Sequence, residues 1–213
     1  MKIILKYIGK VREAKINING ITVIAGLNSS GKTTIAKAID GIIYPLTNLE
    51  ERILNKKIQS MARLAETWLR EALLKADDSN LRMRENRIVP IVYYFRKTIS
   101  KKLKQLYLDD TEFKITEELL KTFISEIVER HYRKMSIELI SSDRTKEAIK
   151  LINEAYLRNN DDYAKLIFLQ HLSTLFSNQI ETFNCTEKSE ICLENYCNIE
   201  FEESDIKKFE VSS

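Results

Sequence analysis

The sequence has 213 residues, 44% of them hydrophobic, and a net charge of +3. This length can bury a core, and the charge is too small to indicate nucleic-acid binding by itself. The apolar runs are too short to cross a bilayer, and the amino terminus lacks the residue order of a secretory signal. We therefore expect a globular, cytoplasmic protein with no membrane partner.

The charge is unevenly spread along the chain. Residues 1–46 carry seven Lys or Arg against two Asp or Glu, whereas residues 181–213 carry three against nine. A basic amino-terminal part suits a polyphosphate ligand. An acidic carboxy-terminal edge argues against nucleic acid lying along that part of the surface.

The first 26 residues predict three short strands. Apolar and polar residues alternate over residues 3–7 and again over 14–18, as in half-buried strands. After the turn signal Asn19-Gly20, residues 21–25 form a continuous apolar run typical of a central strand covered on both faces. The residues expected to face the core in the first two strands are Ile3, Leu5, Tyr7, Ala14, Ile16 and Ile18.

A helix is predicted from Lys32 to Tyr44, because Ile35, Ile39 and other apolar residues fall on one stripe. Pro45 should end this helix, since it has no amide hydrogen to donate. Residues 48–178 are almost free of helix breakers, and two apolar stripes predict a helical hairpin over 54–72 and 88–106, linked by the polar residues 77–80. The stripe residues are Leu54, Ile58, Met61, Ala65, Trp68 and Ala72, then Ile88, Val92, Phe95, Ile99, Leu103 and Leu106.

Further helices are predicted at 117–132, 143–157 and 162–178, with Thr116, Ser142 and Asp161 as caps. Residues 135–140 could instead form a short strand. Alternation around the turn at Asn195-Tyr196 predicts a closing strand hairpin. We therefore predict an α/β (α+β) fold in which residues 1–46 and 182–213 form one lobe and residues 47–181 a helical insertion.

The octapeptide GLNSSGKT at residues 26–33 matches the phosphate-binding pattern G-x-x-x-x-G-K-[ST]. In this pattern backbone amides surround a phosphate, glycines permit the sharp path, and the next helix presents its positive end. Lys32 should contact the β- and γ-phosphates of ATP, Thr33 should complete the Mg²⁺ shell, and Thr34 should contact the α-phosphate. The predicted binding residues are Gly26, Asn28, Ser29, Ser30, Gly31, Lys32, Thr33 and Thr34, with Lys32 also the catalytic candidate.

Residues 5–18 and 20–35 resemble the amino terminus of SMC/RecF-type ATPases of the ABC superfamily. In that family a small antiparallel sheet precedes the P-loop strand, and the loop reads G-x-N-x-S-G-K-[ST]-[TN]; Asn28 and residues 30–33 match it. The resemblance covers the first 45 residues closely and a hairpin near 190–203 loosely. It implies a P-loop NTPase amino-terminal lobe with a helical insertion, as in the predicted ATPases of bacterial mobile and defence loci.

The same resemblance implies a dimer that encloses two nucleotides, or a partner chain. Hydrolysis would need an acid pair after a buried strand, but the apolar runs at 88–95 and 166–169 lead into Arg96 and Gln170. The Ser-Gly-Gly signature is also absent, because no glycine follows Gly41. We therefore expect little hydrolysis by this chain alone, whether it is a fragment, a split protein or a degenerate nucleotide sensor.

Several assignments stay open. The alternatives to an ATPase lobe are a non-hydrolysing helical interaction module and, third, a P-loop small-molecule kinase. DNA is the usual client of the family, but no base-reading element is evident in the sequence. Gln179 is either a nucleotide-sensing glutamine or an exposed amide, and Lys10 and Arg12 are either nucleotide contacts or solvated charges. His131 and His171 are expected to be structural, and Trp68 and the tyrosines to be core or interface rather than base-stacking residues. Cys185, Cys192 and Cys197 are expected to be reduced thiols rather than a zinc site.

Overall fold

The structure is a computed structural model that describes the chain except for residues 77–80, 110–112, 132–142, 184, 204 and 212–213. The linker at 77–80, the alternative strand at 135–140, the cap Ser142 and the side chain of His131 lie outside the described residues. The described part is mixed α/β, with six helices and one five-stranded antiparallel sheet. In chain order the elements are β1 (Lys2–Ile8), β2 (Val11–Asn17), α1 (Lys32–Leu46), α2 (Leu49–Ala76), α3 (Leu81–Asp109), α4 (Glu117–His131), α5 (Asp143–Leu157), α6 (Asn160–Phe176), β3 (Ser189–Leu193), β4 (Cys197–Glu202) and β5 (Asp205–Val211).

The described residues form two compact units. The first comprises residues 1–53 and 159–213, and the second residues 54–158. The sequence analysis drew the boundaries after residues 46 and 181, whereas in the structure the first unit also contains α6. α6 lies here because its buried residues Phe168 and Leu172 belong to the core that lines the sheet.

The sheet of the first unit has the strand order β2-β1-β3-β4-β5, and every neighbouring pair is antiparallel. The chain returns after α6 to place β3 beside β1, with Leu5 opposite Ile191. Alternate residues of these strands are buried against α1 and α6, as a sheet with one covered face requires. This confirms the first two predicted strands and the predicted closing hairpin.

Tyr7 departs from the predicted strand alternation. It has a φ of 52° and is half-buried, while the next residue, Ile8, is fully buried. The inward orientation predicted for Tyr7 was therefore wrong. Its carbonyl oxygen accepts hydrogen bonds from the Ser189 hydroxyl and the Thr182 amide, both at 2.9 Å, which fixes this irregularity against the returning chain.

The predicted central strand at residues 21–25 was also wrong. The segment belongs to no strand, and it is exposed throughout, with Ile21 at 95% and Val23 at 83% of full exposure. A strand forms only when a neighbour pairs with its amides and carbonyls, and none of the five described strands lies beside this segment. Strand propensity in the sequence was therefore not sufficient to form a strand.

α1 covers the predicted helix but extends one residue past Pro45 to Leu46. Pro45 removes only the hydrogen bond that its own amide would donate to the Gly41 carbonyl, and because it lies in the last turn any bend affects only the end of the helix. The helix ends at Thr47, whose amide donates to Ile43 O at 3.1 Å.

The second unit is helical, as predicted from the two apolar stripes. α2, α3, α4 and α5 contribute to one core that contains Met61, Trp68, Phe95 and Leu103. Thr116 caps α4, accepting the Leu119 amide at 3.2 Å. No helix in the described part of the chain combines the length and apolarity that crossing a bilayer demands.

Two details of the first unit were not predicted correctly. Asn159, not Asp161, caps α6, with its side chain accepting the Asp161 amide at 3.1 Å. β5 was missed because charged residues dominate it, and a register shift near Phe201 breaks the simple alternation. Only Ile206 of β5 is fully buried, which is typical of an edge strand.

Candidate functional site

The loop at residues 26–31 leads directly into the first turn of α1. Ser29 and Gly31 have φ angles of 64° and 91°, and backbone turns of this left-handed kind form concavities that bind anions. Gly31 is the N-cap of α1 and provides no side-chain cap, and the first turn contains no acidic residue. The first amides of α1 therefore lack intrahelical partners and carry the positive end of the helix dipole.

Lys32 closes this loop on itself. Its ammonium group donates to the carbonyl oxygen of Gly26 at 2.7 Å and also to that of Leu27. The lysine is thus tied to the first two residues of the loop. An ammonium group has three N–H donors, so one remains for a further acceptor such as a phosphate oxygen.

Two glycines allow the close path of the loop. A Cβ atom on Gly26 would lie 2.9 Å from Ser30 Oγ, and one on Gly31 would lie 2.9 Å from Val11 Cγ2. Side chains at either position would therefore displace neighbouring atoms, and at Gly31 the positive φ adds backbone strain. Glycine at residue 31 therefore has both a steric and a backbone basis, whereas at residue 26 the close contact is with a hydroxyl that can rotate.

The β1-β2 turn packs against the start of α1. A Cβ atom on Gly9 would lie 3.1 Å from Thr34 Cγ2, so this turn contacts the helix just after the loop. Together with the Val11 contact, this places the exposed residues Lys10 and Arg12 in the turn and strand that adjoin the loop. Two basic residues therefore belong to the segments that pack next to the loop.

Gln179 also comes close to this region. The Gly9 amide donates to Ile180 O at 2.8 Å, which places the exposed Gln179 one residue from the turn that touches Thr34. This neighbourhood was not visible in the sequence, because about 170 residues separate the two segments. The structure thus brings Gln179, Lys10 and Arg12 to one end of α1.

Asp40 and His171 form a pair farther along the same helix. His171 Nε2 lies 3.1 Å from Asp40 Oδ2, and its ring stacks on Tyr44 with centroids 4.6 Å apart. The guanidinium of Arg52 lies 4.1 Å from the Tyr44 ring centroid. His171 therefore has an acidic partner that its sequence neighbourhood did not reveal, and the pair joins α1 to α6.

Three features of the loop and the start of α1 suit the phosphates of a nucleotide. They are the left-handed turns, the uncapped start of the helix, and the glycines at which a side chain would meet neighbouring atoms. The hydroxyl of Thr33 belongs to an exposed residue next to the lysine. The described residues hold no group of three or more His, Cys, Asp or Glu side chains suited to a metal ion. The ligands of any bound Mg²⁺ would thus be the Thr33 hydroxyl, phosphate oxygens of the nucleotide and water molecules.

The sequence analysis identified the loop but missed the residues that support it. Gly9 and Val11 contact Thr34 and Gly31, and they set the position of the loop relative to the sheet. Gly9 lies in a two-residue connection between two segments of alternating apolar and polar residues, and such a connection is a recognisable turn signal. Its contact with α1 depends on tertiary packing that no local pattern encodes.

Comparison with known proteins gave no match for this chain, whether to family models, to curated proteins or to solved structures.

Proposed function

We propose that the chain binds Mg·ATP through residues 26–34 and is the nucleotide-binding lobe of an SMC/RecF-like P-loop ATPase. One observation carries the proposal: the Lys32 ammonium closes a glycine-containing loop at the uncapped start of α1. Uncapped helix amides next to an ammonium group favour a polyphosphate over a neutral ligand.

The loop residues divide the work of holding the triphosphate. Amides of the loop and of the first turn of α1 surround the phosphates, and Lys32 offers its remaining donor to their outer oxygens. The hydroxyl of Thr33 contributes to the Mg²⁺ shell, and Thr34 contacts the α-phosphate. When bound, Mg²⁺ neutralises charge on the β- and γ-phosphates and so makes phosphoryl transfer easier.

A partner is part of this proposal. The exposed segment 21–25 has the composition of a buried strand, and Val23 is 83% exposed. Burial of this segment by a second copy of the chain, or by another polypeptide that contributes strands, would remove its apolar side chains from water. The same partner is expected to provide the carboxylates that hydrolysis requires.

ATP affinity of purified wild-type protein and of Lys32→Ala tests the proposal. Loss of the ammonium should weaken Mg·ATP binding at least tenfold, since charge-assisted contacts contribute about 1.5–3 kcal/mol. Lys37→Ala is the matched control, because Lys37 lies on the same helix and contacts the Phe176 ring at 5.7 Å instead of the loop. Equal affinity for wild type and Lys32→Ala would disprove nucleotide binding by this loop.

The second candidate function is a helical interaction module in which ATP is a regulatory ligand. The observation that favours it is the second unit, residues 54–158, which has its own extensive core. Adding a candidate partner and measuring hydrolysis separates the two: restored, Lys32-dependent turnover supports the ATPase lobe, and tight binding without turnover supports the module. A small-molecule kinase, the third alternative, would require phosphate transfer to an acceptor.

A further inference from the structure

One side of α3 presents aromatic and basic side chains to solvent. Tyr93, Lys97, Lys101 and Lys104 follow one another at spacings of four, four and three residues, so they form one stripe along the helix. Tyr93 is 64% exposed, and Tyr94 beside it is 49% exposed. We call these five residues the α3 solvent face. Of the two alternatives given for the tyrosines, core or interface, this exposure excludes the core for Tyr93 and Tyr94.

The charge of this segment is strongly positive. Residues 89–108 contain five Lys or Arg and no Asp or Glu. Arg96 is 3.4 Å from Glu66 and Lys102 is 2.5 Å from Glu126, so these two side chains are ion-paired. Lys97 and Lys101 have no acidic partner within the described part of the chain. They are thus available to an anionic ligand.

The opposite side of α3 is fully used in packing. Ile88, Val92, Phe95 and Leu103 are buried in the core of the second unit. An amphipathic helix binds a membrane by inserting its apolar side, and here that side is already covered by protein. The ligand must therefore suit a face of lysines and tyrosines.

We propose that the α3 solvent face binds single-stranded nucleic acid. Lys97 and Lys101 lie about 6 Å apart along the helix axis, so one phosphodiester backbone can contact both ammonium groups. The rings of Tyr93 and Tyr94 meet edge to face with centroids 5.9 Å apart, and they offer aromatic surface next to the lysines. Unpaired bases stack on such rings whatever their sequence.

Because of the two tyrosines, single-stranded nucleic acid is a better ligand for this face than a duplex. In a duplex the base faces are stacked inside the helix, so Tyr93 and Tyr94 could contact only the backbone. In a single strand the bases are free to stack, and each base–aromatic contact adds to the phosphate contacts. The ligand recognised is thus DNA or RNA with exposed bases.

Fluorescence anisotropy with labelled dT20, rU20 and a 20-base-pair duplex tests this on the full chain without ATP, so the result is independent of the P-loop proposal. Lys97→Gln/Lys101→Gln should weaken binding of dT20 and rU20 at least tenfold, and it should lower the slope of log affinity against log salt by about 1.4. Lys146→Gln/Lys150→Gln, on exposed positions of α5, is the control with the same change in charge.

Tyr93→Ala tests the stacking contribution. It should weaken dT20 binding about tenfold and leave duplex binding nearly unchanged, because only unpaired bases can stack on the ring. Tyr196→Ala, at a 55% exposed tyrosine of the first unit, is the matched control and should change neither. Circular dichroism establishes that each variant is folded.

Three results would overturn the proposal. The first is that the lysine variant binds dT20 as tightly as its α5 control. The second is that Tyr93→Ala weakens single-strand and duplex binding equally. The third is that the wild-type protein binds vesicles containing 30% phosphatidylserine in preference to every oligonucleotide. The first two would exclude this face or its tyrosines, and the third would identify a membrane surface as the ligand.

Discussion

Gly41 of α1 lies so close to Leu172 of α6 that a Cβ atom on residue 41 would be 2.3 Å from Leu172 Cδ2. Because glycine has no side chain, the two helices can approach this closely. α1 begins directly after the loop at residues 26–31, and α6 ends shortly before Gln179. The contact therefore fixes the loop helix against the element that leads to the neighbouring glutamine.

Gly41→Ala should destabilise the first unit. Overpacking costs about 1–3 kcal/mol, and the better helix propensity of alanine returns about 1 kcal/mol. On this balance we expect the free energy of unfolding, measured by urea denaturation, to fall by as much as about 2 kcal/mol. Ala36→Leu enlarges an exposed residue of α1 instead, and its effect should stay within about 0.5 kcal/mol. A gain in stability in Gly41→Ala would mean that Leu172 moves aside without cost, and it would contradict the role given to this contact.

Gly31→Ala should weaken ATP binding at least tenfold. The new methyl group meets Val11 at 2.9 Å in a backbone with a φ of 91°, so the loop must change its path. Gly20→Ala is the matched control, because Gly20 also has a positive φ, 70°, but nothing lies within 4 Å of its Cβ position. Calorimetric titration with Mg·ATP should therefore separate the two variants. Similar affinities would show that the loop does not bind the phosphates.

Val23→Lys should leave the stability of the isolated chain nearly unchanged. Val23 is 83% exposed in an unpaired segment, so the substitution removes little buried surface, and its effect should be within about 0.5 kcal/mol. Leu5→Lys, at a fully buried position of β1, is the contrasting variant and should unfold the sheet. Urea denaturation measures both. A large loss of stability in Val23→Lys would mean that the segment packs within this chain.

The sequence predicted well where the decisive interactions are local. The apolar stripes of α2 and α3 identified their buried sides, because helical spacing alone decides which residues face the core. The start of α1 directly after the glycine-containing loop was predicted in the same way, and the role of this loop in phosphate binding stays a prediction. Thr116 was recognised as a cap from its own neighbours.

The sequence failed where the outcome depends on distant residues. Residues 21–25 have strand composition, but they lack a neighbouring strand among the described elements. The Asp40–His171 pair joins helices 131 positions apart, and no periodicity could reveal it. Gly9 likewise becomes part of the site only because the β1-β2 turn packs on Thr34.

The three cysteines are free, and they should differ in reactivity. Burial raises the pKa of the Cys197 thiol to about 12, and burial also raises the pKa of Cys192, with Glu190 and Glu194 adding to the effect. The thiolate is the reactive form, so at pH 8 a maleimide should label the half-buried Cys185 first and Cys197 only after unfolding.

The raised pKa of Cys197 also determines how the stability of the folded state changes with pH. The folded state holds the thiol proton more tightly than the unfolded chain, so this contribution to stability is complete below the ordinary thiol pKa. It is lost as the pH rises towards about 12.

Mass spectrometry of labelled peptides, with and without guanidinium, measures the order of labelling. If Cys197 reacted in the folded protein as fast as Cys185, β4 would have to open readily and the buried side of the sheet could not be the stable core of the first unit.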